Sequence, residues 1–165
     1  MSSSNSSKPL FSIIGLFFWV GLCFFVAWTG AQVSPGIASS EWYDALNKPT
    51  WNPPGWLFGP VWTILYTMMG VAAWLIWKEF GFKDARFALI LFLFQLFLNG
   101  LWSQLFFGMQ ELGWAFVEII ILLSAIIFTT NLFFQKNRIS GWLMIPYIAW
   151  VSFATVLNAT IWMIN

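Results

Sequence analysis

The chain has 165 residues, 60% of them hydrophobic and 8% charged, whereas an average globular chain carries about 25% charged residues. A net charge of +1 offers no electrostatic footprint for nucleic acid, and the apolar content excludes a disordered chain, so lipid is the expected solvent. No histidine and one cysteine exclude imidazole ligation, a histidine base, an intrachain disulfide and a multi-cysteine metal cluster; no metal site is expected, and Cys23 reads as a small hydrophobe.

About 20 apolar residues, rising 1.5 Å each, cross the roughly 30 Å of hydrocarbon in a bilayer. Residues 1–9, rich in serine, read as a polar tail. The first span falls at about residues 10–31. Lys8 before it and Thr29-Gly30-Ala31 at its end suit a cleaved leader, but the run exceeds the 7–15 apolar residues of such a segment, so a retained span is expected. The connection 32–55 is the only long one, and it contains Pro35-Gly36. Within it Ser40 can cap a short helix, Glu41 and Asp44 complement that helix's dipole, and Pro49 ends it. With Trp42, Tyr43 and Trp51 this segment reads either as a lid or as an interfacial loop with its aromatics among headgroups.

The second span falls at about 56–77, after Pro53-Pro54 and before Lys78-Glu79. The third falls at 87–107, ending at Gly108, and the fourth at 112–134, with Glu118 its only charge. The fifth runs from about 140 to 163. No internal repeat is visible, and there is no room for a second domain. The expected fold is an all-α membrane protein, a bundle of five transmembrane helices in one domain over 10–165 with the loop 32–55 as lid. Pro60 and Pro146 each remove a backbone donor and favour bends.

Lys8, Lys78, Lys83, Arg86, Lys136 and Arg138 share one side of such a bundle, and only Lys48 lies on the other. The positive-inside rule then places the N-terminus in the cytoplasm and the C-terminus on the opposite side. Thirteen Trp and nineteen Phe exceed what interfacial belts require, a first sign of a binding function. Counted from the non-cytoplasmic span ends, Asn158 and Trp102 lie roughly 8 Å deep, Trp62 and Glu118 roughly 9 Å, Asn99 roughly 12 Å and Gln95 roughly 18 Å.

Gln95, Asn99 and Trp102 share one face of the third helix, Trp62, Tyr66, Met69 and Ala73 one face of the second, and Pro146, Trp150, Ala154 and Asn158 one face of the fifth. Amides are unfavourable in hydrocarbon unless turned inward, so these stripes should converge. A single amide can simply tie two helices together, worth about 0.6–2 kcal/mol; the whole constellation beneath an aromatic loop points to a ligand cavity. Glu118 is an intramembrane acid without a basic partner in the spans, suited equally to a structural hydrogen bond or a ligand contact. The inner half holds mostly Ser and Thr, whose hydroxyls can bond their own helix.

The run from Trp42-Tyr43-Asp44-Ala45-Leu46-Asn47-Lys48-Pro49 through Thr50-Trp51-Asn52-Pro53-Pro54-Gly55-Trp56, then Phe58-Gly59-Pro60-Val61-Trp62-Thr63-Ile64-Leu65-Tyr66, resembles the signature of the translocator protein / tryptophan-rich sensory protein (TspO/MBR) family. Gln95-Leu96-Phe97-Leu98-Asn99 with Trp102, Phe106-Phe107-Gly108, Gly113-Trp114-Ala115, Pro146-Tyr147 with Trp150, Phe153-Ala154-Thr155 and Leu157-Asn158 extend the likeness from about residue 10 to the end.

The resemblance implies a five-helix bundle, often a homodimer, that binds porphyrins, and in some members sterols and synthetic ligands, beneath the first loop. It implies a sensor or regulator of tetrapyrrole metabolism, with light-dependent porphyrin breakdown in some members. By position Trp51 and Trp150 look like the tryptophans tied to that breakdown, and Asn99, Trp102, Trp114 and Asn158 look like cavity-lining positions. One departure is that Ala159 stands where the proposed sterol motif of animal members needs a Tyr, and no Lys or Arg follows; such motifs are weak recognition elements in any case.

The expected ligand set is therefore Trp42, Trp51, Trp62, Tyr66, Asn99, Trp102, Trp114, Glu118, Trp150 and Asn158. Trp faces would stack on a flat tetrapyrrole or another planar lipophile while amides orient its polar edges. Lys48 either meets a propionate at the mouth or fixes the loop. Membrane lipid and a second copy are the other expected partners; no cofactor is required. No nucleophile–base pair is visible, so any chemistry would be photochemical through Trp51 and Trp150. Transport of porphyrins or other lipophiles is the alternative function, although an odd number of spans without internal duplication gives no support to inverted-repeat alternating access.

Overall fold

A computed structural model describes residues 7–34 and 41–165. Residues 1–6, Pro35-Gly36, the expected cap Ser40 and the side chain of Lys8 lie outside the described residues. Five helices are long and apolar enough to cross a membrane: α1 (Ser7–Ala31), α3 (Gly55–Asp84), α4 (Arg86–Ser103), α5 (Leu112–Lys136) and α6 (Arg138–Ile164). The short α2 (Glu41–Ala45) lies in the first connection, and α4 continues into a π-helical turn, Gln104–Gly108. The chain is an all-α, multi-pass integral membrane protein.

The long helices form a closed ring in the order α1, α3, α6, α5, α4 and back to α1. That order determines what the interior contains, because each helix turns one flank to each neighbour and its remaining inward stripe to a shared space. Gly70 of α3 lets α1 come close: a Cβ there would stand 2.6 Å from the Val20 Cα. The Trp74 indole N–H then donates to the Ser12 carbonyl at 2.8 Å, tying the same pair of helices nearer the basic end.

Element limits follow capping chemistry more than charge. Lys78-Glu79 does not stop α3, which runs on until Gly81 leaves the helical region at φ 67°, a conformation that suits glycine. Asn137 caps α6 by accepting from the Ser140 N–H at 3.1 Å, so the helix begins before the expected 140. The same Asn137 donates to Glu79 Oε2 at 2.8 Å, and Lys136 donates to the Asp84 carbonyl at 3.1 Å, joining the turns at the basic end. Neither Pro60 nor Pro146 interrupts its helix, and the non-helical dihedrals within α3 fall at Gly81. Hydroxyls toward the basic end bond their own backbone, as Thr129 does to the Ala125 carbonyl and Thr130 to that of Ile126, each at 2.8 Å.

The α1–α3 approach is testable. Gly70→Ala should cost about 1–3 kcal/mol through overpacking against Val20, seen as a lower melting temperature in detergent. Gly21→Ala, with nothing within 4 Å of its Cβ position, should be neutral or stabilising.

Candidate ligand cavity

The ring encloses a cavity of about 520 Å³ near the end roofed by the first connection, within the range typical of small-molecule sites. Trp62 and Tyr66 enter it from α3, Asn99 and Trp102 from α4, Ile119 and Leu122 from α5, and Trp150 and Ala154 from α6. Ala27, Gly30 and Ala31 contribute a low wall from α1. Tyr43 reaches it from the loop, and Phe107 from the π-helical turn.

The aromatic rings meet mostly edge to face. Trp62 and Trp150 stand 6.5 Å apart at 86°, Phe58 and Trp150 5.8 Å apart at 76°, while Trp62 tilts against Tyr66 at 5.2 Å. Such rings resist interdigitation, and opposite the short side chains of α1 they leave open volume. The wall is consequently apolar apart from a few groups.

Tyr66, Asn99 and Trp102 belong to two interhelical chains, while Ser34, Tyr43 and Ser103 add hydroxyls outside them. The Tyr66 hydroxyl donates to Asn99 Oδ1, and Asn99 Nδ2 donates to the Tyr147 hydroxyl at 2.9 Å, linking α3, α4 and α6. The Trp102 indole N–H donates to Asn158 Oδ1 at 3.0 Å, and Asn158 Nδ2 donates to the Leu112 carbonyl at 3.1 Å, linking α4, α6 and α5. Gln95 and Glu118 are buried and make no hydrogen bond among the described residues.

The roof is fastened at several points. Trp42 and Tyr43 set their rings edge-on against Phe106 at 6.0 and 6.4 Å, and Tyr43 meets Phe107 at 5.5 Å. The π-helical turn presents both phenylalanines toward the loop, and Phe106 stacks on Trp102 at 4.9 Å. The Lys48 ammonium lies 4.5 Å from the centre of the Tyr43 ring and donates to the carbonyls of Tyr43, Asp44 and Leu46. Lys48 thus secures the C-terminal end of α2, which closes at Ala45 without help from Pro49. Further along, the Asn47 N–H donates to Asn165 Oδ1 at 2.9 Å and Asn165 Nδ2 donates to the Asn47 carbonyl at 3.0 Å, pinning the loop to the end of α6. Burial pushes the Tyr43 phenol above its ordinary pKa; the nearby Asn52 side chain offsets part of the rise, and the Asp44 charge adds to it. The hydroxyl stays neutral at physiological pH.

Of the expected ligand residues, Trp62, Tyr66, Asn99, Trp102 and Trp150 line the cavity. The other five lie off its wall. Trp42 belongs to the roof clamp. Trp51 is 45% exposed and its ring meets that of Phe153, 5.9 Å away. Trp114 is 67% exposed on the outer surface of α5, which corrects its expected place in the cavity: at the helix start its periodicity turns it toward lipid. Asn158 is consumed by the α4–α6–α5 tie. Glu118 is buried beside the wall residue Ile119. Absent from the expected set are the aromatics Tyr43, Trp56, Phe58 and Phe107, the Ser34 and Ser103 hydroxyls, apolar wall residues such as Ile119 and Leu122, and the small α1 residues. The spacing of Ala27 and Ala31, one helical turn apart, is the signal that bears on the last of these.

A five-span membrane bundle with a roofed, aromatic-walled cavity is the class these features define. Comparison with known proteins then identifies the lineage. A family model described as the TspO/MBR family matches residues 19–163, and the chain belongs to that family. It is 41% identical to the translocator protein of Homo sapiens over 127 residues, 76% of this chain and 75% of that one. It is also 41% identical over 157 residues to the tryptophan-rich protein TspO of Chlorobaculum tepidum, covering 93% and 97% of the two chains. With the tryptophan-rich sensory protein of Cereibacter sphaeroides it shares 37% identity over 142 residues, 85% and 88% of the two.

The roof fastening predicts that Lys48→Met, which keeps the aliphatic stem and removes the donors, will accelerate amide hydrogen exchange across residues 43–48 by about tenfold while leaving the transmembrane amides unchanged. Equal protection in the two proteins would show that the ammonium does not hold the loop.

Proposed function

We propose that this protein is a membrane receptor for a flat, lipophilic tetrapyrrole, a sensor or regulator of tetrapyrrole metabolism. The observation that carries this reading is the cavity wall: Trp62, Trp102 and Trp150 from three helices around about 520 Å³, beneath a fastened aromatic roof. Indole faces offer stacking area to a planar macrocycle. The polar atoms of Tyr66 and Asn99 are already paired with each other, so they add orientation more than affinity. The six-to-one division of basic residues supports a cytoplasmic N-terminus, with the roofed cavity in the opposite leaflet.

Titration of the purified protein with protoporphyrin IX should quench its tryptophan fluorescence. Trp62→Ala should weaken binding by about 2- to 12-fold, the equivalent of one aromatic contact. Trp114→Phe, on the lipid face, should bind like the parent. Absence of quenching in the parent, or equal affinity in Trp62→Ala, would overturn the reading.

An aromatic path favours a second activity at the same site, light-dependent porphyrin breakdown. Trp150 lines the cavity and meets Phe153 at 5.7 Å, which in turn meets Trp51 at 5.9 Å. Under illumination in air, bleaching of the bound macrocycle should slow more in Trp150→Phe than in Trp51→Phe, because only Trp150 borders the guest. Identical rates in all three proteins would exclude both indoles.

A further inference from the structure

On the outside of the bundle a second hollow, of about 420 Å³, lies between α3 and α6. Val61, Ile64 and Leu65 form one side, and Pro146, Ala149 and Phe153 the other. All of these are apolar, and Ile64 is largely exposed, so the groove opens to lipid. Val61 to Leu65 lie about 9–15 Å along α3 from its loop end, below the interface and within the hydrocarbon. The groove exists because Pro146 and Ala149 are short where α6 faces α3.

Trp150 belongs to both hollows: it lines the internal cavity and also floors the external groove. The same indole therefore borders both the interior of the bundle and the groove that faces the acyl chains. It is held there by ring contacts with Phe58, Trp62 and Phe153 at 5.8, 6.5 and 5.7 Å, and its N–H takes part in none of the interhelical hydrogen bonds that tie Trp102 and Trp74. The roof, by contrast, is fastened by the Lys48 and Asn165 hydrogen bonds and by the Phe106–Phe107 clamp. Opening the roof breaks several polar contacts together, whereas swinging Trp150 exchanges apolar contacts for apolar contacts with lipid.

We infer that the α3–α6 groove is the lateral portal of the cavity, through which a lipid-dissolved planar guest passes by displacement of Trp150, with the loop remaining closed. This rests on the receptor reading above and names the route by which that ligand arrives. A molecule that partitions into the bilayer is concentrated on the groove side, and the charge-free lining imposes no desolvation penalty on its ring system.

The test uses the full-length protein in phosphatidylcholine vesicles, with protoporphyrin IX delivered from a second vesicle population and tryptophan quenching followed by stopped flow. Ala149→Phe and, separately, Ile64→Phe fill the groove from residues that do not line the cavity. Each should slow association and dissociation together by tenfold or more and leave Kd within twofold, since a change confined to the route alters the barrier and not the two end states. In a third protein, Asn47→Cys with Asn165→Cys, joining the two thiols with a short bifunctional reagent should leave both rates unchanged.

Unaltered rates in both groove variants, or arrest of binding by the loop cross-link, would overturn the portal. So would loss of affinity in both groove variants, because the groove would then be part of the binding site and no separate route. If the parent binds no protoporphyrin, the receptor reading fails and the portal with it, an outcome distinct from binding whose kinetics ignore the groove.

Discussion

Hydrocarbon accepts no hydrogen bonds, and this single constraint arranges the interior of the bundle. A polar side chain within a span must find its partner inside the protein or lose several kcal/mol. Asn99 and Asn158 meet that demand by bridging helices: Tyr66–Asn99–Tyr147 joins α3, α4 and α6, and Trp102–Asn158–Leu112 joins α4, α6 and α5. The two chains fix the relative rotation of four helices at neighbouring heights. Once rotation is fixed, the indoles of Trp62 and Trp150 have to face the same hollow, because they lie on the stripes that the amides have already turned inward.

The five spans were legible because lipid imposes a length and an absence of charge that a sequence displays directly. Which stripe of each helix faces inward was legible for the same reason, through Gln95, Asn99 and Trp102 at helical spacing. The limits of the helices were less so. Hydropathy falls at Lys78, yet the backbone of α3 continues to Gly81, since helical hydrogen bonding is indifferent to the loss of apolar character. Likewise the π-helical turn Gln104–Gly108 leaves no mark in a 3.6-residue pattern until a neighbouring element shows which rings it has re-aimed.

Membership of the site was legible only in part. Periodicity places a side chain on a face, but the width of that face is wider than the cavity. Asn158 lies on the correct stripe and is spent on Trp102 and Leu112; Glu118 lies one residue from the wall residue Ile119 and remains behind it. The low α1 wall was ambiguous for the converse reason. Ala27, Gly30 and Ala31 contribute by what they lack, and small residues in a membrane helix read equally well as a close helix contact. Tryptophan number is similarly ambiguous: Trp28, Trp114 and Trp142 are largely exposed, in keeping with interfacial belts, whereas Trp56 is exposed and also borders the cavity.

The polar economy of the cavity also bears on its selectivity. The Asn99 amide already accepts from Tyr66 and donates to Tyr147, and an amide group has two donors and two acceptor sites. One of each is therefore left over, the Trp102 N–H is committed to Asn158, and the hydroxyls of Ser34, Tyr43 and Ser103 complete the polar part of the wall. A site with so few free polar groups cannot reject a close analogue by leaving a buried partner unpaired, the mechanism that gives the largest discrimination. Selection must come from shape: the edge-to-face arrangement of Trp62 and Trp150 and the fastened roof set the thickness and breadth of what fits. For the planar guest proposed above, a cavity built this way would discriminate flat from bulky molecules more sharply than one flat molecule from another.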